Sequence, residues 1–302
     1  MIPAFLTTLL FSISAISANR SITQLGSNLA NVSRLSLAAI LLGIIAWIMG
    51  DFPGSRVFWI FFISGVIGFG FGDIGVFYAL PRLGSRLCIL YTQCVAAPIA
   101  GLIEWLWLGT SLSSLQIVWA LITLVGVTIA LDPFRAKNFN REQWLSGTLF
   151  GLLAAFGQGA GAVVSRYGYD VAAAQSESIA PMTAAFFRVI GGVMIAVIAV
   201  WVLVPRKGHP NAPKRSAPRW TRWVVIFIVL NALSGPVLGV SCYQWALAVR
   251  PSFVVLPIVA LAPIVVIPLS MIFENDRPSA LSLVGALIAV GAAIMLSLAT
   301  LS

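Results

Sequence analysis

Two carboxylates stand inside long apolar runs of the sequence, where a side chain could take up and release a proton. Asp73 follows a glycine-rich segment, and Glu104 stands near the end of the run 86–108. A charge at the depth of a membrane is costly and is therefore a candidate for function. Asp73 is the first candidate for proton coupling and Glu104 the second. The alternatives are that Asp73 pairs with an arginine such as Arg82 and that Glu104 is a rim carboxylate.

Tyrosine and amide side chains within the apolar runs form a second group of candidates. Tyr91 and Gln93 stand in one run, and Tyr243 and Gln244 stand in another. Such groups either line a cavity or hydrogen-bond neighbouring helices; recurrence favours the cavity for these four, and the helix–helix bond is favoured for Asn231. The predicted solute-binding residues are Asp73, Tyr78, Tyr91, Gln93, Asn231, Tyr243 and Gln244.

Metal and cofactor chemistry finds little support in the sequence. The three cysteines, at 88, 94 and 242, form no CxxC pair, and the single histidine, His209, excludes an HExxH site. The spacing Gly70-x-Gly72-x-x-Gly75 resembles a dinucleotide fingerprint, but it lies inside an apolar run rather than at a strand–turn–helix junction. We therefore expect no metal, no cofactor and no enzymatic activity, with a membrane-embedded enzyme kept as an alternative.

The composition decides the class of protein. Of the 302 residues, 60% are hydrophobic and only 9% are charged, whereas a soluble domain carries roughly 25% charged residues. So few charges cannot cover the surface of a soluble particle of this size. The sequence therefore excludes a soluble enzyme, a nucleic-acid-binding domain and a disordered chain, and it predicts a polytopic membrane protein.

The apolar runs predict an all-α protein with ten transmembrane helices. A helix needs about 20 predominantly apolar residues to cross the hydrocarbon core, and the runs are apolar on all sides rather than alternating as in a membrane β-barrel. The predicted spans are 2–18, 33–50, 57–79, 86–108, 113–132, 144–165, 180–204, 222–248, 252–273 and 279–300.

An internal repeat divides these spans into two sets of five. Arg34 and Arg188 each precede a tryptophan by the same interval near the start of the second span of a half, and we interpret both as structural residues at a helix start. Ala-Leu pairs close the third and eighth spans. The predicted division is a first repeat at 1–132, a connecting loop at 133–143 and a second repeat at 144–302. Because each half has an odd number of spans, the second must be inverted relative to the first.

The chain resembles the EamA-type ten-helix carriers of the drug/metabolite transporter superfamily. The resemblance rests on Arg34 and Arg188, on the Ala-Leu pairs, and on the matching runs from Pro98 to Gly126 and from Pro263 to Gly291. It departs from the family where Thr110 and Ser111 follow Leu108-Gly109, since a glutamate is common there. The resemblance implies a secondary carrier that exports or exchanges a small molecule.

The basic loops predict the orientation and the lipid contacts. The loops after odd-numbered spans hold most of the Lys and Arg residues, so the positive-inside rule places both termini outside the cytoplasm. The resemblance implies the opposite orientation. The basic loop 205–221 is expected to contact anionic headgroups rather than nucleic acid.

Together these features predict a secondary active transporter of a small organic metabolite that works by alternating access. A channel or membrane scaffold, and a membrane-embedded enzyme, are the alternatives. We expect a monomer or homodimer in the plasma membrane, such as a bacterial inner membrane, whose partners are a small solute and the bilayer.

Overall fold

The protein is described by a computed structural model that covers most of the chain. Within the described ranges the backbone is helical, with short turns and no strand. The prediction of an all-α fold is therefore confirmed. The described residues are 2–50, 52–109, 113–130, 141–203, 219–250 and 252–299.

The helices of the first half pass twice through a π-helical segment. The wider turn of a π-helix is rare and often marks a functional region; here the two segments are Val66–Gly72 and Leu90–Val95. The α-helices are α1 (Ile2–Leu25), α2 (Ser27–Met49), α3 (Ser55–Gly65), α4 (Asp73–Ile89), α5 (Ala96–Leu108) and α6 (Ser114–Ala130).

The second half contains one further π-helical segment among the described residues, Leu233–Val237, which includes Pro236. It interrupts the eighth predicted span as Val66–Gly72 interrupts the third. The α-helices are α7 (Arg141–Ala174), α8 (Pro181–Leu203), α9 (Arg222–Ala232), α10 (Leu238–Val249), α11 (Ser252–Val259), α12 (Ala262–Phe273) and α13 (Ala280–Leu298).

Six of the described helical stretches are long and apolar enough to cross a membrane, and shorter apolar helices add to them. The longest, Ser55–Trp107, has 53 residues and turns back at Gly84, where φ is 75°. Cys88 Sγ lies 3.7 Å from the Val76 carbonyl oxygen, whereas twelve residues of straight helix would rise about 18 Å. This stretch therefore provides two crossings.

Several predicted spans differ from the structure at their ends or centre; the second, predicted at 33–50, begins at Ser27. The first continues past residue 18 to Leu25, because Asn19 donates a hydrogen bond to Glu274 and the Ser21 hydroxyl donates one to the Ala18 carbonyl oxygen within the helix, and it ends at Gly26 with φ 78°. The sixth, predicted at 144–165, extends to Ala174. The ninth is divided into α11 and α12 just before a proline, which cannot donate the hydrogen bond that would continue the helix.

The two halves pack reciprocally. Helix α1 packs against α9, α10 and α12, and α7 packs in the same way against α3, α4 and α5. Two further pairs join equivalent helices directly, α2 with α8 and α6 with α13. This exchange of contacts is the packing that two repeats related by a two-fold axis produce, and it confirms the predicted fold class of a polytopic bundle with helical repeats.

Glycines allow the helices of opposite halves to meet backbone to backbone. A Cβ atom on Gly157 of α7 would lie 2.4 Å from Gly72 Cα, and one on Gly126 of α6 would lie 2.5 Å from the Ala289 nitrogen of α13. No methyl group fits at either crossing. In a membrane, where lipid competes for apolar surface, such close contact between small residues drives helix association.

Substitution of Gly157 tests the importance of this crossing. Gly157→Ala should lower the apparent Tm in detergent by several degrees, because overpacking of a tight contact costs about 1–3 kcal/mol. The matched control is Gly291→Ala in α13, where the added methyl meets nothing within 4 Å, so Tm should stay equal or rise slightly. Equal Tm values for both variants, measured by tryptophan fluorescence, would contradict the close crossing.

Candidate functional site

A cavity of about 90 Å³ lies at the centre of the bundle, between elements of both halves. At about 30 Å³ for each water, this is room for roughly three water molecules. Its wall combines aromatic, amide and charged side chains contributed by α1, α2, α4, α7 to α10 and all three π-helical segments. The lining residues are Phe11, Ser14, Ala15, Ala18, Arg34, Gly68, Phe69, Asp73, Val76, Phe77, Ile89, Thr92, Gln93, Gln158, Arg188, Asn231, Gly235, Val240 and Tyr243.

A buried ion pair forms one side of the cavity. Asp73, the first residue of α4, accepts a hydrogen bond from the Arg34 guanidinium of α2. The same guanidinium donates to Asn31 Oδ1 at 3.1 Å and lies 4.7 Å from the centre of the Phe77 ring. Both charges are thus buried with their partners, which is the condition under which a charge is tolerated inside a membrane.

The predicted alternative partner of Asp73 lies elsewhere. Arg82 donates to the Tyr78 carbonyl oxygen at 2.6 Å and to Ser146 Oγ at 3.1 Å. Its guanidinium also lies over the ring of Phe150. The pairing of Asp73 with Arg82 is therefore corrected to a pairing with Arg34, because Arg82 follows Asp73 by more than two helical turns and reaches α7 instead.

A second buried arginine, Arg188 of α8, forms no ion pair with a carboxylate of the described residues. It is only 2% exposed, yet its Nε and Nη1 atoms are buried without a hydrogen-bond partner. Its guanidinium lies 5.4 Å from the centre of the Phe69 ring, and a Cβ atom on Gly68 would come within 2.8 Å of Nη2. The glycine thus leaves the space that the guanidinium occupies beside the cavity.

The charges that line the cavity do not cancel. Among its described lining residues, the charged groups are Arg34, Asp73 and Arg188, two positive charges and one negative. The cavity therefore has a formal charge of about one positive unit, and the electrostatic potential inside it favours a negatively charged group.

The repeat explains where this imbalance comes from. The first half carries Gly68-x-x-x-Gly72-Asp73 before Tyr78-Ala79-Leu80, and the second half carries Gly235-x-x-x-Gly239-Val240 before Trp245-Ala246-Leu247. Val240 thus stands where the first half has Asp73. Arg34 lies against Gly235, whose Cβ would be 3.3 Å from Nη1, as Arg188 lies against Gly68.

Three predicted polar residues join these charges in the cavity wall. Gln93 Oε1 accepts a hydrogen bond from Gln158 at 3.4 Å. Asn231 Oδ1 accepts one from Ser14 at 2.7 Å, while its Nδ2 atom is buried without a partner. The Tyr243 hydroxyl is likewise buried without a partner. Asn231 therefore bonds another helix and lines the cavity at the same time.

The other predicted residues lie outside the cavity wall. The Tyr78 ring packs 5.0 Å from Phe150, the Tyr91 hydroxyl is 3.3 Å from Thr148 Oγ1, and Gln244 donates to Ser165 Oγ at 3.3 Å. In each of these contacts the partner is a residue of α7. Conversely, Arg34 and Arg188, interpreted from sequence as structural residues, both stand in the wall.

Polar contacts join the two halves at both ends of the cavity. At one end Glu274 accepts hydrogen bonds from Asn19 Nδ2 at 2.8 Å and from the Ser85 backbone N–H at 3.1 Å. At the other end the Glu177 carboxylate accepts one from the Gly54 backbone N–H at 2.9 Å.

Glu104 belongs to this second end rather than to the cavity. It is 6% exposed and accepts a hydrogen bond from the Ser252 hydroxyl at the start of α11. The rim position considered from sequence is thus a buried contact between the halves. Within the described part of the chain, no group of three or more His, Cys, Asp or Glu side chains is placed to hold a metal ion.

Comparison with known proteins identifies the family. The model of the EamA-like transporter family matches residues 1–131 and again residues 145–298. The chain therefore belongs to the EamA-like transporter family and is a multi-pass membrane transporter of the drug/metabolite superfamily. None of the curated proteins matches the sequence significantly.

A solved structure shares the fold. One crystal structure of a protein superposes with a TM-score of 0.66 over 99% of this chain and 96% of its own, at 20% sequence identity. At that level of identity the similarity supports the fold and says nothing of the solute.

The Arg34–Asp73 pair gives a prediction about stability. Asp73→Val, which copies Val240 of the other half, leaves Arg34 unpaired and should cost about 3–5 kcal/mol. The apparent Tm should fall by about 6 °C or more. The double variant Arg34→Met/Asp73→Val removes both charges and should recover most of that loss. If the double variant is as unstable as the single one in the same thermal assay, Arg34 and Asp73 do not neutralise each other.

Proposed function

We propose that the protein is a secondary active transporter that moves a small organic metabolite by alternating access, with the central cavity as its solute site. The observation that carries the proposal is the cavity itself, which both repeats line with buried charged and amide groups. A binding site at the interface of inverted repeats, near the middle of the membrane, is typical of secondary carriers.

The moving bodies are the two repeats, 1–132 and 144–302, joined by the connection 133–143, most of which lies outside the described residues. Alternating access requires that the contacts at one end of the cavity break while those at the other end form. The contacts to be exchanged are those of Glu274 together with the Arg86–Asp276 ion pair at one end, and those of Glu177 and Glu104 at the other.

The solute is small and partly apolar. The cavity of about 90 Å³ is lined by the rings of Phe11, Phe69 and Phe77 beside its polar groups, which is the usual composition of a small-molecule site. Export or exchange is the direction that the family favours. The energy then comes from a gradient or from counter-transport.

Asp73 is the proposed site of proton coupling. It lines the cavity and is hydrogen-bonded to Arg34, so protonation of its carboxyl would weaken an ion pair between two helices. Glu104, the second candidate, lies outside the cavity wall. Protonation of Asp73 would therefore change the solute site directly, whereas protonation of Glu104 could affect it only through the contact between the halves.

We place the protein in a plasma membrane, as a monomer or homodimer, with both termini on the non-cytoplasmic side. The basis for the orientation is the concentration of basic residues in loops such as 205–221, of which 205–218 lie outside the described residues. Those loops would then face anionic headgroups at the cytoplasmic surface. Catalysis is not part of this proposal.

Cysteine labelling tests alternating access. In a variant without the native cysteines, Ser14→Cys in the cavity wall should react with a charged methanethiosulfonate added to either side of the membrane, because the cavity opens to each side in turn. The control is the neighbouring Ile13→Cys, which is 42% exposed on the outside of the bundle; it should stay unlabelled because lipid covers it.

Several results would contradict the proposal. Labelling of Ser14→Cys from one side only, under all conditions, would exclude a carrier of this kind.

Metabolites that stabilise the purified protein should show saturable counterflow in proteoliposomes, whereas a channel would conduct without saturation and an enzyme would convert the compound. In the cysteine-labelling assay, reaction of Ser216→Cys with the charged reagent added to intact cells would overturn the proposed orientation.

Paired variants test proton coupling. Asp73→Asn keeps a hydrogen-bonding group toward Arg34 but cannot lose a proton, so it should abolish solute accumulation driven by a pH gradient while retaining exchange. Glu104→Gln makes the same chemical change outside the cavity and should keep both activities. Gradient-driven uptake by Asp73→Asn in proteoliposomes at the wild-type rate would rule out this residue as the coupling site.

A further inference from the structure

We propose that the transported solute is a small organic acid with a single carboxylate and an apolar body, and that Arg188 binds its carboxylate. This inference rests on the proposed carrier function. Arg188 has two buried nitrogen atoms, Nε and Nη1, without a hydrogen-bond partner, in the wall of a cavity whose charges do not cancel. A buried, unpaired cation is expensive, so a site of this kind favours a ligand that supplies the missing negative charge.

The unpartnered groups around the cavity form a matching set. The Tyr243 hydroxyl and Asn231 Nδ2 are buried without hydrogen-bond partners, and both residues line the same cavity as Arg188. All three residues can donate hydrogen bonds. Charge-assisted hydrogen bonds from such donors are the strongest that a carboxylate makes in a protein. The cavity wall therefore favours a ligand group that accepts hydrogen bonds, such as a carboxylate, over one that donates them.

The comparison between the repeats gives the same answer independently. In the first half, Arg34 obtains its negative partner from Asp73. In the second half, the equivalent position is Val240, which also lines the cavity. The position equivalent to Asp73 thus supplies no carboxylate to Arg188, and the ligand supplies one instead.

The rest of the wall limits the kind of acid. Asp73 is already paired with Arg34, so it offers little to an ammonium group on the ligand. One excess positive charge matches one carboxylate better than a dianion. The remaining wall is largely apolar and aromatic, including Phe69 beneath the Arg188 guanidinium. These features favour a monocarboxylate with a hydrophobic body over a zwitterion, a phosphate ester or a cationic drug.

The experiment compares acids with their uncharged amides. Benzoate, phenylacetate and 3-methylbutyrate, each with its matched amide, are added to the purified protein in a chloride-free buffer, because chloride could compete for the guanidinium. At least one of the acids should raise the apparent Tm, bind in calorimetry and show counterflow in proteoliposomes. Its amide should do none of these.

Variants locate the binding site. Arg188→Gln should weaken acid binding by about thirtyfold or more, as expected for loss of a buried charged partner. Val240→Asp, which recreates the first-half pair inside the second half, should also abolish binding because the new carboxylate occupies the guanidinium. Both variants should be at least as stable as the wild type without ligand, since Arg188→Gln removes the unpaired charge and Val240→Asp pairs it. The control Arg166→Gln changes an arginine outside the cavity and should bind normally.

The outcomes separate this inference from the carrier function. Equal effects of acids and amides, or full acid binding by Arg188→Gln in a folded protein, would overturn the anion site even if transport is observed. Acid binding that depends on Arg188, without any exchange across vesicles, would support the anion site and count against the carrier.

Discussion

The central constraint on the structure is a buried positive charge that the described residues lining the cavity do not balance. Two guanidinium groups and one carboxylate are buried in the wall of a central cavity, surrounded by apolar helices. Arg34 and Asp73 satisfy each other, and Arg188 is left with unpartnered N–H groups. Because an unpaired charge inside a membrane is expensive, we propose that a bound group offsets this cost during the working cycle.

The repeat architecture makes this arrangement possible. Inverted halves bring the arginine of each second span against a glycine of the opposite half, so that Arg34 meets Gly235 and Arg188 meets Gly68. The backbone crossings at small residues hold the helices close enough for the cavity to remain small. The difference at one equivalent position, Asp73 against Val240, then gives the cavity a net charge. The packing of the two repeats thus forms the cavity, and the difference between Asp73 and Val240 gives the cavity its net positive charge.

Much of this was predictable from sequence, and the remainder has physical causes. The charge density and apolar runs predicted the membrane fold, and the cost of a buried carboxylate pointed to Asp73. Sequence could not decide which faces of an apolar helix meet the cavity, since such a helix has no polar face to orient it. Tyr91 stands in a π-helical segment, where the wider turn changes the direction of successive side chains, and it contacts Thr148 instead. The unpaired state of Arg188 could not be recognised from sequence, because the position equivalent to Asp73 is Val240, an ordinary apolar residue.

The most direct test of the account is an experimental structure of the protein with a bound monocarboxylate that stabilises it. The account predicts that the carboxylate lies at the Arg188 guanidinium, within hydrogen-bond distance of Nε or Nη1 and between elements of the two halves, while Arg34 remains paired with Asp73. A ligand bound on the outside of the bundle, or an Arg188 side chain that is paired with a carboxylate of the protein itself, would contradict it.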